Sequence, residues 1–504
     1  MSEPTNGDMG RSGRSRQVVR PWVGLSLLLT GVTLLVSGCS GGASTLAEGL
    51  PPAPGISHEG QKLVTDHGRQ GAQVLASGGQ AAPYNYGPAL IADGGGYRAW
   101  WCSQLPGAGA DGDDILSAAG PALDKPFGPA QPVFSGTGTG FDAMHTCDPS
   151  VIKVRGSYYL YYTGAAADHD HINGIGVASS TDGVSWTRLA DSKPILTSSR
   201  EVNRANTYGA GQPSVVYRDG WFYLLFTDTA GKAAGWDGAG QFVVRAKDPA
   251  FRQNFQAWGD KGFTDADPAK ASRSRMVVNA FSADLMWVDA LDAWAIAHET
   301  AEGTTVGFWS VDFQRRPFQD VLIPGQWKEG PGLVRRADGH APASLTDPCG
   351  RVPLDVVRAT VLGAAPTDLR WFGIDVVGAK GCLDDKRAAA VLDGLAMPSA
   401  DRTIDLIASG TRMRVERRSV ALALGNGLLG APVDAVAGLS RGGNLKAGAL
   451  AVRAPDRPVG IVLEDGHLYV VGDPQVAELN SSGIREVTQH EWDSYPRGTD
   501  LTRR

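Results

Sequence analysis

Apolar and polar positions alternate in short bursts that recur along the chain. From Tyr86 the sequence reads YGPALIADGGGYRAWWCS, from Cys147 CDPSVIKVRGSYYLYYTG, and from Gly211 GQPSVVYRDGWFYLLFTD. Each copy runs through a small or polar residue, a proline, an apolar run, a Gly turn and an aromatic run. Such runs, bounded by turn residues, predict paired β-strands. FSADLMWVDALDAWAIAHET, from Phe281, repeats the pattern without the proline. A degraded fifth copy is expected from LTDPCGRVPLDVVRATVL (Leu345 to Leu362) to LRWFGIDVVG (Leu369 to Gly378). Counted from Pro88, Pro149, Pro213, Asp284 and Pro348, the copies lie 61, 64, 71 and 64 residues apart.

Third strands follow in most copies, as DDILSAAG, GIGVASSTDGVSW, QFVVRAKDPAF and TVGFWSVDF. Several short strands per unit at a fixed period predict a mainly β fold, a five-bladed β-propeller over residues 81–395. A β-sandwich also alternates strands and turns, but it does not repeat one hairpin five times.

After about residue 400 a different repeat begins. Residues 410–445 align without gaps on 466–501, at an offset of 56. Each copy reads as a strand, a short helix (SVALALG, PQVAELN), a second strand and a closing Arg-Gly turn. A small α/β tandem-repeat domain is therefore expected over 400–504. This region resembles the repeats in the periplasmic part of the B component of actinobacterial type VII secretion systems, themselves similar to phage-endolysin wall-binding modules. The resemblance implies a module that holds cell-wall polymer; a cap that only packs on the propeller is the alternative.

The N-terminus changes the picture of where the chain works. Arg11, Arg14, Arg16 and Arg20 precede the apolar stretch PWVGLSLLLTGVTLLVSGCS, the layout of an export signal. Val36-Ser37-Gly38-Cys39 resembles a bacterial lipobox, which implies cleavage before Cys39 and lipidation of that cysteine. An uncleaved anchor is the alternative, since the run is long enough to span a bilayer. Residues 1–39 are thus read as a lipoprotein signal peptide and 40–80 as a flexible tether, with the protein held outside the cytoplasmic membrane by its lipid alone. Four cysteines remain: Cys102, Cys147, Cys349 and Cys382. An even number in an oxidising compartment suggests two disulfides, and the most local pairing is Cys102–Cys147 with Cys349–Cys382. No Cys/His cluster has metal-ligand spacing, and DHDHING (Asp168 to Gly174) reads as a polar hairpin loop, so no metal or other cofactor is assigned. The formal net charge of −6 leaves no basic patch, so nucleic acid is not an expected partner.

CDPSVIKVRGSYYLYYTG and the following IGVASSTDGVSWTRL resemble the five-bladed glycoside hydrolases of the family 43, 32, 62, 68 and 130 superfamily, which includes xylosidases and arabinofuranosidases. The resemblance implies three carboxylates at the starts of inner strands in consecutive blades: a base Asp, an Asp that tunes its partner's pKa, and an acid Glu. Only Asp148 matches. The preceding slot holds Gly87, the following one Gln212, and the fourth Ser282 or Asp284. The alternative for Asp148 is a turn aspartate bonded to its own backbone, but the Gly and Gln copies show that the fold does not require Asp there. Asp228 and Glu299, at the ends of second strands, are the substitute acids considered, Glu299 first. Gln212, His145, Tyr86, Tyr208 and Asp284 are expected around the mouth, where they would bind sugar hydroxyls and ring faces. The expected function is a glycoside hydrolase acting on a pentose- or furanose-containing wall polysaccharide. A propeller that binds wall glycan without cleaving it, and one that serves protein assembly, are the rivals.

Overall fold

The computed structural model describes residues 57–501 apart from 94, 168–172, 362–364 and 400. The export signal, Cys39, the first part of the tether and most of DHDHING lie outside the described residues. Among the described residues no helix is long and apolar enough to cross a membrane.

The strands pair as the alternation predicts. The first unit is β2 (Tyr86–Asp93), β3 (Gly96–Ser103), β4 (Asp114–Gly120) and β5 (Gln131–Phe134), preceded in the chain by β1 (Val64–Gln70). The second is β6 (His145–Val154), β7 (Ser157–Ala165) and β8 (Gly174–Ser180), edged by β9 (Thr187–Arg188) and β10 (Leu196–Thr197). The third is β11 (Ala210–Arg218), β12 (Trp221–Asp228), β13 (Gln241–Ala246), β14 (Gln256–Gly259) and β15 (Gly262–Asp265). The fourth is β16 (Ala283–Val288), β17 (Ala293–Thr300), β18 (Gly303–Trp309) and β19 (Val321–Pro324). The last is β20 (Gly332–Arg336), β21 (Arg351–Ala359) and β22 (Leu369–Val377), completed on its outer side by β1.

Two sequence expectations change here. Residues 64–70, read as tether, form β1 and pair antiparallel with β22, so the chain's first described strand closes its last sheet. The fifth copy also begins earlier than expected. Its inner strand is β20, whose parallel pairing with β2 joins the last unit to the first, and the segment after Pro348 is its second strand. The proline that matches Pro88, Pro149 and Pro213 is Pro331, and all four line one axial cavity.

Burial closes the ring. One apolar cluster joins Ile91 and Trp100 to Val151 and Leu160, a second Ile152 and Tyr161 to Val215 and Phe226, and a third Leu225 and Val243 to Leu285 and Ile296. Met286 and Phe308 then pack with Leu354 and Val356, and Val357 returns to Leu90 and Trp101. Each sheet thus buries both faces against its neighbours, which is how a propeller forms a core from short strands.

Both disulfides are present, Cys102–Cys147 with Cα atoms 4.9 Å apart and Cys349–Cys382 at 5.1 Å. The first ties β3 to β6 across two units.

The C-terminal region contains β23 (Leu395–Pro398), β24 (Ile404–Ala408), β25 (Thr411–Val415), β26 (Gly427–Leu428) and β27 (Arg441–Leu445). A second sheet follows, β28 (Ala451–Arg453), β29 (Val459–Val462), β30 (Leu468–Gly472) and β31 (Ile484–Glu486). A helix follows the third strand of each, Arg418–Leu424 and Pro474–Leu479. Arg412 pairs in parallel with Arg441, and Leu468 with Arg497, so the offset of 56 read from the sequence is kept in register. The repeating unit starts before residue 410, because β23 and β24 belong to the first sheet. Val391, Leu395 and Val436 extend the core between the fourth and fifth units.

Candidate active site

The residue before each inner-strand proline sits in the left-handed region: Gly87, Asp148, Gln212 and Gly330 have φ of +54°, +48°, +54° and +50°. Pairing with the second strand slips at this point in the first three units, so the chain bulges and turns the preceding side chain toward the axis. Glycine adopts this conformation freely and Asp tolerates it, but for Gln212 it is strained, and a following proline restricts it further. Strain of this kind collects at functional sites.

Asp148, Gln212, Thr163 and Tyr208 line a narrow cavity together with Tyr86, His145, Asn173, Phe281 and Glu329. Tyr208 Oη donates to Asp148 Oδ2 at 2.9 Å, and the Tyr208 ring lies edge-on to Phe281, centroids 4.9 Å apart. Gln212 N–H donates to Thr163 Oγ1 at 2.9 Å. A Cβ on Gly87 would stand 3.4 Å from Asp148 Oδ1, so the bare slot leaves space beside that carboxylate. Burial pushes Asp148 up to about 6, partly countered by the hydrogen bonds from Thr163 and Tyr208.

Glu329 is the second carboxyl in the cavity. It immediately precedes the slot residue Gly330, and a Cβ on Gly330 would lie 3.4 Å from Gly87 Cα. Units five, one and two therefore present Glu329, Gly87 and Asp148 in succession. Burial, and next the nearby Asp148 charge, push Glu329 up to about 8, against Lys328 and a hydrogen bond with Gln212. One wall of the cavity is stiffened from behind. His145 Nδ1 lies 2.9 Å from Asp113 Oδ2, and Tyr86 Oη and Gln104 Nε2 donate to Asp113 Oδ1 at 3.2 and 3.1 Å.

Of the sequence candidates, Asp148, Gln212, His145, Tyr86 and Tyr208 meet in this cavity. Glu299 and Asp228 do not line it. Glu299 accepts from Thr304 Oγ1 at 3.1 and 3.0 Å, Arg358 in turn donates to Thr304, and burial pushes Glu299 up to about 7. Asp228 is fully buried against Arg273, 3.3 Å away, and caps the backbone N–H groups of Ser199 and Ala230. At the end of its strand Glu299 bonds its own cross-strand partner Thr304, and Asp228 bonds residues of the loops beside it, so neither joins the cavity lining. Asp284 lines the adjoining axial cavity and is bound by Ser214 and Arg335.

Sequence reading missed Glu329 and Asp113. Glu329-Gly330-Pro331 repeats the small-residue-Pro pattern, but β20 is short and its partner strand begins only at Arg351, so the hairpin signal is absent. Asp113 lies just before β4, and no local pattern marks its distant pairing with His145.

A pair of buried carboxyls from two units, one holding its proton more tightly than the other, can donate and accept protons across one cavity. No protein-family model matches the chain. The non-reducing end α-L-arabinofuranosidase BoGH43B of Bacteroides ovatus is 31% identical over 120 residues, 23% of this chain and 21% of the relative. The chain thus matches about a fifth of that relative's length. Among solved structures, Zg3597, a family 117 glycoside hydrolase of Zobellia galactanivorans, is similar at a TM-score of 0.42 and 11% identity, covering 63% of this chain and 91% of that one. The catalytic domain of a GH62 α-L-arabinofuranosidase from Coprinopsis cinerea is similar at 0.40 and 12%, covering 62% and 97%.

Proposed function

We propose that the protein is a glycoside hydrolase acting on an arabinose- or xylose-containing polysaccharide, with Glu329 as general acid and Asp148 as general base. The reading rests on one observation: the carboxyls of Asp148 and Glu329, carried by two different units, line the same cavity; burial pushes both up, Asp148 to about 6 and Glu329 further, to about 8. At neutral pH Glu329 keeps its proton and Asp148 has lost its own, the division of labour that cleavage needs. Glu329 gives its proton to the glycosidic oxygen as the bond to the anomeric carbon breaks. Asp148 takes a proton from the water that attacks that carbon, leaving two hydroxyl products. Gln212, Tyr86 and His145 are suited to the hydroxyls of the bound sugar.

We further propose export and lipidation at Cys39, with the C-terminal repeats holding cell-wall polymer; the basic and apolar N-terminal sequence and the register-matched repeats support this. The second reading, a propeller that binds glycan without cleaving it, is favoured by Gly87 and Gln212 standing where the superfamily's carboxylates are expected. The deciding experiment incubates wild type, D148N and E329Q with arabinogalactan, arabinoxylan and aryl pentosides, and follows released sugar by chromatography. Release by wild type that both variants lose supports hydrolysis; binding without release by wild type sinks it.

A further inference from the structure

Two residues beyond each slot, the inner strands carry Ala89, Ser150, Ser214, Asp284 and Gly332. Into this second ring the fully buried Arg335 extends its guanidinium from β20. Nη1 donates to Leu285 O at 2.8 Å and to Val215 O and Ser214 Oγ at 3.3 Å, and lies 3.3 Å from Asp284 Oδ1. Nη2 donates to Ser150 Oγ at 3.4 Å. One side chain thereby touches the inner strands of three other units. The acceptors are themselves fixed: Ser214 Oγ donates to Asp284 Oδ1 at 2.5 Å, Leu333 N–H to Asp284 Oδ2 at 2.7 Å, and Val215 N–H to Ser150 Oγ at 3.0 Å.

The donor set is two backbone carbonyls, two hydroxyls and one carboxylate. That is the all-oxygen cage a hard metal cation takes, and here it converges on a guanidinium. We propose that Arg335 is the resident cation of the propeller's centre, a covalently attached substitute for a metal ion, and that the cage becomes a metal site when the guanidinium is removed. A buried Asp284 carboxylate needs a positive partner, and Arg335 supplies one that cannot dissociate. The axial cavity lined by Asp284 also includes Asp148 and Gln212, so the carboxylate that Arg335 neutralises belongs to the same lining as Asp148. The inference does not depend on the activity proposed above.

The test uses the full-length chain, calcium and terbium(III). Wild type is expected to melt at the same temperature with chelator or with calcium, and to show no terbium luminescence that D284N removes. R335A is expected to melt more than about 5 °C lower, to regain stability with calcium, and to acquire a terbium signal that R335A/D284N lacks. R335K, which keeps the charge, is expected to remain silent to terbium and covers the case in which R335A does not fold. Calcium-dependent melting of wild type that D284N abolishes would overturn the proposal, as would folded R335A without terbium bound at Asp284.

Discussion

The phenolic hydroxyl of Tyr208, on the chain just before β11, donates to Asp148 Oδ2, on β6, at 2.9 Å. The bond favours the ionised carboxylate, since a donor stabilises negative charge. It counters the burial that pushes Asp148 up to about 6. Y208F removes the donor, so Asp148 titrates higher and the acid limb of the pH–rate profile moves up, by about one unit. Sugar release should fall about tenfold near pH 5.5 and much less near pH 7.5. A uniform loss at every pH would assign Tyr208 to substrate contact instead.

Glu329 should govern the opposite limb. Wild-type activity is expected to be bell-shaped, rising as Asp148 ionises near 6 and falling as Glu329 loses its proton near 8. E329Q should lose roughly 10²- to 10⁴-fold in kcat, the range carried by one positioned acid. Aryl substrates with good leaving groups should lose least, because they need no protonation. Equal losses on all substrates would remove Glu329 from the acid role.

The same burial carries a cost in stability. The folded state holds the Glu329 proton to about 8, against an ordinary value of 4.5. Its contribution to stability is therefore full below about 4.5 and is lost as pH rises through 8. Gln cannot ionise, so E329Q should melt higher than wild type at pH 9 while the difference shrinks at pH 5. Thermal melts at the two values check this, and an unchanged difference would mean that the carboxyl is solvated.

The inner and second strands of the first four units were legible because each carries its own alternation and turn. The fifth was misplaced because its strands are separated by the 337–350 segment, and because β1 completes it from the other end of the chain, a pairing that no local pattern records. Asp148 could be found because its proline and bulge recur in register. Glu329 could not, since it lies one residue before its slot and reaches the cavity from the opposite side of the ring. Glu299 is an acid at the end of an apolar strand, but a strand end says nothing about which neighbour its side chain meets.

That difference separates Glu299 and Asp228 experimentally. E299Q should keep activity within about threefold, since its carboxyl bonds Thr304 outside the cavity. D228N removes the nearer of the two acids facing the buried Arg273, a loss of up to about 3–5 kcal/mol. It should lower the melting temperature sharply while the protein that remains folded keeps its KM. Loss of kcat in E299Q at unchanged stability would return that residue to the catalytic set.

The disulfide links stability to the site most directly. Cys147 precedes Asp148, and its bridge to Cys102 closes a loop with a sequence separation of 45. Constraining a loop of that size in the unfolded chain stabilises by about 4 kcal/mol in the loop-entropy account. C102S/C147S should therefore melt well below wild type, and reductant should lower the wild type toward it. Because the bridge also anchors the start of β6 against β3, Asp148 should be less firmly held even at temperatures where the variant is folded. The expected result is a lower kcat at 20 °C with the acid limb shifted, since a looser Asp148 meets Tyr208 less often. A variant that melts lower yet keeps the wild-type kcat and pH profile would confine the disulfide to stability and leave the positioning of Asp148 to its proline, its bulge and Tyr208.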